Sequence, residues 1–133
     1  MKHKVSIDIS IGATSFTQNP VIELSLVNKY FNYDVEKIRI INNINYPKME
    51  DKDLKELNCL EYLILSCNKI ISDFGLSQAK NLTHLDLSHN ENITNKGISE
   101  LFQLSFLRLS NNCSITDEGL SKLINMVYVY IIV

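Results

Sequence analysis

Residues 81–112 read NLTHLDLSHNENITNKGISELFQLSFLRLSNN, and they contain one pattern twice. Leu82, Leu85, Leu87 and Asn90 set it; Leu104, Leu107, Leu109 and Asn112 repeat it 22 residues later. One step back stand Leu60, Leu63, Leu65 and Asn68. One step forward stand Met126, Val129 and Ile131, and the 133-residue sequence reaches Val133 just before the next Asn falls due. Self-similarity at a fixed period of this size specifies a stack of coils, a solenoid, rather than a globule.

Each copy has a second half: ISDFGLSQAK (71–80), ITNKGISELF (93–102) and ITDEGLSKLI (115–124), with MEDKDLKELN (49–58) as a divergent first version. Asp73, Asn95 and Asp117 stand where a helix N-cap is expected, with Ser72, Thr94 and Thr116 just before them as competing caps. Leu76, Ile98 and Leu120, followed three residues later by Ala79, Leu101 and Leu123, form one apolar helical stripe. Gly75, Gly97 and Gly119 recur near the helix start. Glycine costs a helix about 1 kcal/mol against alanine, so the recurrence predicts close approach between neighbouring coils. Asp53 takes this place in the first copy, where looser packing is expected.

The first half of that copy is assigned to Val35, Ile38, Ile40 and Asn43, at a step of 25 residues to the next. The three extra residues then fall in INYPKME, making Tyr46-Pro47 a loop insertion, of a kind that costs little closure entropy. Residues 1–34 stand outside the period. Val5, Ile7, Ile9 and Ile11 alternate with polar residues as a half-buried strand does. Asn19-Pro20 reads as a helix start. The segment from Val21 to Tyr33 then sets Val21, Leu24, Val27 and Phe31 on one helical face; its Val, Ile and Tyr content also suits a second strand, and helix is the reading preferred. The expected organisation is a capping segment over 1–34 and repeats over 35–133, the last stopping after its strand.

The motif LxxLxLxxN followed by ITDxGLxxL resembles the leucine-rich repeat family, and its second half is similar to the cysteine-containing branch of that family. The resemblance covers 35–133. It implies an α/β fold: a right-handed solenoid with a curved parallel sheet on the concave side and short helices on the convex side. It also implies a non-catalytic module that binds a protein partner. Physical reasoning agrees on the architecture, because parallel strands need crossover connections and each helix supplies one. The Asn ladder of Asn43, Asn68, Asn90 and Asn112 is expected to satisfy turn amides that are otherwise buried without partners.

Composition narrows the function. A net charge of −2 leaves no electrostatic footprint for nucleic acid or an anionic membrane surface, and neither is expected as a partner. Cys59, Cys67 and Cys113 are odd in number and sit at different phases of the repeat, which favours a reducing, cytoplasmic compartment. The start, MKHKVSIDISIGATS, alternates and carries Asp8, so it reads as a strand rather than a secretory signal. No apolar run approaches the ~20 residues of a membrane span. Three Asn-x-Ser/Thr triplets, at Asn81, Asn92 and Asn112, read as accidents of an Asn-rich repeat.

Function is sought on the outward positions of the sheet, which alternate with the inward Leu residues. One row is Lys37, Tyr62, His84, Phe106 and Tyr128; the next is Arg39, Ile64, Asp86, Arg108 and Tyr130; the third is Ile41, Ser66, Ser88, Ser110 and Ile132. Adjacent strands lie about 4.8 Å apart, so the first row makes a nearly continuous aromatic ridge. Aromatic residues and Arg dominate protein interfaces; the plainer alternative is that the rings only stabilise the sheet. Tyr62, Ile64, His84, Asp86, Phe106, Arg108, Tyr128 and Tyr130 are the expected partner-binding set.

His84, Asp86 and His89 suggest a catalytic or zinc group at first sight. An extended chain separates His84 from His89 by about 16 Å, and Cys67 with His89 supplies too few ligands for a structural zinc site. No catalytic residue, metal or cofactor is expected. MVYVYIIV (126–133) reads as an exposed apolar edge strand. Three readings stay open for it: a fragment of a longer repeat protein, a homodimer through that strand, or a crude cap.

Overall fold

The computed structural model describes residues 40–42 and 49–132. The chain alternates short strands with short helices: β1 (Ile40–Asn42), α1 (Asp51–Glu56), β2 (Tyr62–Ile64), α2 (Asp73–Ser77), β3 (His84–Asp86), α3 (Asn95–Ile98), β4 (Phe106–Arg108), α4 (Asp117–Leu120) and β5 (Tyr128–Tyr130). Among the described residues the five strands form one parallel sheet in sequence order. Each helix is the crossover between two adjacent parallel strands, as the repeat requires. Strand and helix alternating at one fixed step make a solenoid with a parallel sheet along one side.

The register is strict. Leu63 pairs with Leu85, Leu85 with Leu107 and Leu107 with Val129, so corresponding side chains form rows. The inward rows are the core. Leu60, Leu63, Leu65, Leu82, Leu85, Leu87, Leu104 and Leu107 are all within 1% of full burial. Ile71, Leu76, Ile93, Ile98 and Leu101 close the core from the helix side. Burying such a side chain contributes roughly 1.5–3 kcal/mol, and each coil from β2 to β4 contributes a layer of them, whereas Val129 and Ile131 at the corresponding places of β5 are exposed.

The first coil corrects the sequence reading. Ile41 pairs with Leu63 and is 2% exposed. The step is therefore 22 residues here too, not 25, and there is no three-residue insertion between Ile41 and Leu63. Ile41 belongs to the core and not to an outward row. The error has a simple origin: Ile38 and Ile40 match the Leu template as well as Ile41 does. A slip of three is odd in number, and an odd slip exchanges the two faces of a strand. At the strict step Asn43 corresponds to Leu65 rather than to Asn68. The two outward rows likewise begin with Ile40, opposite Tyr62, and Asn42, opposite Ile64, and not with Lys37 and Arg39. Asn43 itself, Tyr46-Pro47 and the capping segment 1–34 lie outside the described residues.

Polar contacts bind coil to coil. Asn90 is fully buried. Its Oδ1 accepts from Asn92 N (3.0 Å) and Ile93 N (3.1 Å), and its Nδ2 donates to Leu65 O on the preceding coil at 3.2 Å. Asn112 repeats the arrangement with Ser114 N, Ile115 N and Leu87 O. Asn68 accepts from Ile70 N and Ile71 N, while its Nδ2 has no partner among the described residues. Just before each Asn the backbone turns left-handed: Cys67, His89 and Asn111 have φ of 58°, 53° and 52°. The side chains of Asn81 and Asn92, from the other two glycosylation-like triplets, also reach back one coil, to Asn58 O and Ile71 O.

The helix caps shift by one residue from expectation. Ser72, Thr94 and Thr116 are the N-caps. Asp73 and Asn95 are instead the first helical residues, and they grip the next coil. Asp51 accepts from Ser72 N (2.8 Å) and Ser72 Oγ (2.5 Å). Asp73 does the same for Thr94, and Asn95 pairs with Thr116 through both ends of its amide. The recurrent glycines face these side chains. A Cβ on Gly119 would meet Asn95, and one on Gly75 would fall on Asp51. Asp53, at the glycine place of the first coil, closes a capping box with Glu50 instead.

Candidate functional site: the outward face of the sheet

Alternation along each three-residue strand puts the first and third side chains on the side away from the core. Lateral register then aligns them: Tyr62, His84, Phe106 and Tyr128 in one row, Ile64, Asp86, Arg108 and Tyr130 in the next. The structure thus brings all eight expected residues onto one face.

The first row is a stack. The rings of Tyr62 and His84 lie 4.2 Å apart between centroids at 17°, and those of His84 and Phe106 5.6 Å apart at 19°. Parallel strands at about 4.8 Å spacing hold flat rings at close to their stacking distance. Thr83 Oγ1, 2.9 Å from His84 Nδ1, fixes the imidazole from its own strand. Tyr62 is exposed, while His84 and Phe106 are half-buried.

The second row is charged at its centre. Asp86 Oδ1 accepts from Ser88 N at 2.8 Å and from Ser66 Oγ at 3.4 Å. Arg108 Nη1 lies 3.8 Å from Asp86 Oδ2, and the Arg108 guanidinium sits over the Tyr130 ring at 5.4 Å. Arg108 Nε donates to Ser110 Oγ at 3.4 Å. Aspartate, arginine and tyrosine therefore form a braced series across three strands.

The third row differs from the expected open face. Ser88 and Ser110 are buried, and Ile41 belongs to the core. Past the strands the chain already bends toward the left-handed turn, and the row closes in. His89 lies in that turn, with Nε2 3.4 Å from Asn111 Nδ2; it does not join His84 and Asp86 on the sheet. Among the described residues no group of three or more His, Cys, Asp or Glu side chains is placed to hold a metal ion. All three cysteines are free and exposed. No helix among the described residues is long and apolar enough to cross a membrane.

Two features escaped the sequence. The left-handed column of Cys67, His89 and Asn111 carries no glycine, so nothing announced it except the fixed place before Asn. Phe74 and Phe102 are exposed on the helix side, where the periodic stripe drew attention to inward residues only. Toward β5 the cover thins. Val127, Tyr128, Val129, Tyr130, Ile131 and Ile132 are all exposed.

Comparison with known proteins places these coils. Among solved structures, internalin C2 from Listeria monocytogenes str. 4b F2365 has a similar fold, with a TM-score of 0.53 at 19% identity. The similarity covers 83% of this chain and 56% of that one, so the chain spans little more than half the length of that protein. No curated protein matches. The leucine-rich repeat family matches residues 56–77, 78–102 and 104–123, just over half of the sequence. Those three stretches each carry one strand and one helix start of the same ladder, and the chain belongs to the leucine-rich repeat family.

Proposed function

We propose that this chain is a non-catalytic binding domain that holds a protein partner on the outward face of its sheet. Repeat domains of this family are generally protein-interaction modules. The observation that carries the reading is the Tyr62–His84–Phe106 stack beside the Asp86–Arg108 pair. Rings and a guanidinium set rigidly side by side lose little conformational freedom on binding, which is what a small interface needs. We place it in a reducing, cytoplasmic compartment on the odd number and differing repeat phases of its cysteines.

The test is affinity capture from the native cell, with the Tyr62→Ala plus Phe106→Ala double variant as control. A partner held by the wild type and lost by the variant supports the reading, provided the two unfold at similar urea concentration. Partners retained equally by both overturn it.

The exposed apolar row of β5 favours a second reading, pairing of β5 with a second copy of the chain. Light scattering across a concentration series separates the two. An oligomer dissolved by Ile131→Lys and untouched by the ridge substitutions supports assembly; a monomer at micromolar concentration excludes it.

A further inference from the structure

We propose that β4 selects extended partner segments that carry a carboxylate two residues from an aromatic side chain, with Arg108 taking the carboxylate and the His84–Phe106 ridge taking the ring. The proposal rests on the outward face being the binding surface.

Arg108 carries it. Its guanidinium is braced from both neighbouring strands, by Asp86 on β3 and by the Tyr130 ring on β5. Neither brace consumes the Nη hydrogens. A separation of 3.8 Å is an ion-pair distance beyond hydrogen-bond reach, and the Tyr130 contact, 5.4 Å from the guanidinium carbon to the ring centroid, is a charge–ring attraction and not a hydrogen bond. Only Nε makes a hydrogen bond among the described residues, to Ser110 Oγ. Asp86 is in the opposite condition. Its Oδ1 is engaged by Ser88 N and Ser66 Oγ, and its side chain is 16% exposed against 45% for Arg108. The face therefore shows an available cation beside a largely covered anion. Arg108 is the one Lys or Arg in the two outward rows among the described residues. Charge complementarity then favours a carboxylate, whose two oxygens match the planar fork.

Phe106 sets the spacing. It lies two residues from Arg108 on the same strand, so the two are about 6.6 Å apart on one face. Any extended peptide repeats its same-face side chains at this interval. A segment lying along β4 thus offers residues i and i+2 to the pair without adjustment. The rings of Tyr62, His84 and Phe106 stand face to face, so their slightly positive edges are left to meet an incoming group. A partner ring laid face-on against those edges gains the edge-to-face geometry that aromatic pairs prefer. The occupant is an extended protein segment of the form aromatic-x-acid, or acid-x-aromatic when it runs the other way.

The experiment pans a random peptide display library on the whole chain at low ionic strength, then repeats it on Arg108→Gln and on Phe106→Ala. The expected consensus pairs Phe, Tyr or Trp with Asp or Glu at a separation of two. A synthetic peptide from that consensus loses about tenfold in affinity when its acid becomes the amide. Arg108→Gln binds acid and amide forms alike, and Arg108→Lys falls between, since it keeps the charge but not the fork. Added salt narrows the wild-type difference. A consensus of aromatics without an acid, sensitive to Phe106→Ala and indifferent to Arg108→Gln, overturns this proposal and leaves the binding-face reading standing. Peptides indifferent to both substitutions, or no consensus at all, also overturn this proposal, and the capture experiment with the Tyr62→Ala plus Phe106→Ala variant then decides the binding-face reading on its own.

Discussion

Asp73 occupies the space beside Gly97: a Cβ built on that glycine would lie 2.5 Å from Asp73 Oδ1, 2.9 Å from Ile93 Cγ2 and 3.2 Å from the Asp73 Cα. The two residues belong to neighbouring coils and to corresponding helices, α2 and α3. The carboxylate cannot retreat freely, because it holds Thr94 N at 2.7 Å and Thr94 Oγ1 at 2.6 Å.

Gly97→Ala is therefore expected to destabilise the protein by about 1–3 kcal/mol through overpacking. An unobstructed helix gives the opposite sign, a gain of about 1 kcal/mol. Urea denaturation reads the difference directly as a shift of midpoint. In the Asp73→Ala background the cost of Gly97→Ala should shrink, since the nearest obstacle is gone, but not vanish, since Ile93 and the Asp73 backbone remain.

Asn90→Ala removes both ends of a fully buried amide. It leaves Asn92 N and Ile93 N without their acceptor and takes one of two donors from Leu65 O, which keeps Asn68 N. A buried unsatisfied group costs about 1–3 kcal/mol, and loss of at least that much is expected. Asn68→Ala should cost less, because Asn68 has no Nδ2 partner among the described residues. The comparison of the two unfolding midpoints checks the ordering.

The left-handed residues offer a gain. Cys67 has φ of 58° and Asn111, at the same place two coils on, has φ of 52°. Non-glycine residues in this region are disfavoured by roughly 1–2 kcal/mol, asparagine least among them. Cys67→Asn should raise stability by a few tenths of a kcal/mol up to about 1 kcal/mol, seen as a higher urea midpoint. Cys67 is exposed, so no core packing is lost.

Cys59, Cys67 and Cys113 are all unpaired and exposed. A thiol reagent added to the native protein should modify all three without denaturant, because each is exposed. Fewer than three equivalents would mean that a thiol is covered in solution.

Most of the stacking was legible in the sequence because it is written four times. Leu63, Leu85 and Leu107 occur at one interval, and a fixed interval leaves the register no freedom. The first coil was misphased because Ile38, Ile40 and Ile41 are chemically alike, and nothing local distinguishes the one that lies opposite Leu63. The caps were misplaced by one for a related reason. Serine or threonine followed by aspartate offers two good capping groups, and local chemistry does not choose between them. Contact with the next coil does: Asp73 is drawn away to Thr94, leaving Ser72 to cap its own helix. The outward rows followed from alternation alone, but the bracing of Arg108 by Asp86 and Tyr130 depends on side-chain directions across three strands. The closing-in of Ser88 and Ser110 depends on a turn that no glycine marks.

The grip of Asp51 on Ser72, of Asp73 on Thr94 and of Asn95 on Thr116 runs always forward, from one coil to its successor. The molecule is thus a queue in which each member holds the shoulder of the one ahead. Splicing out the 22 residues from Ser72 to Ile93, so that Thr94 follows Ile71 and becomes the neighbour of Asp51, leaves every handhold filled and merely shortens the line. Cuts of other lengths break it. Growth or loss by whole units is in this way built into the chemistry of a single side-chain position, and the breadth of the outward sheet face can change without redesign of what holds it together.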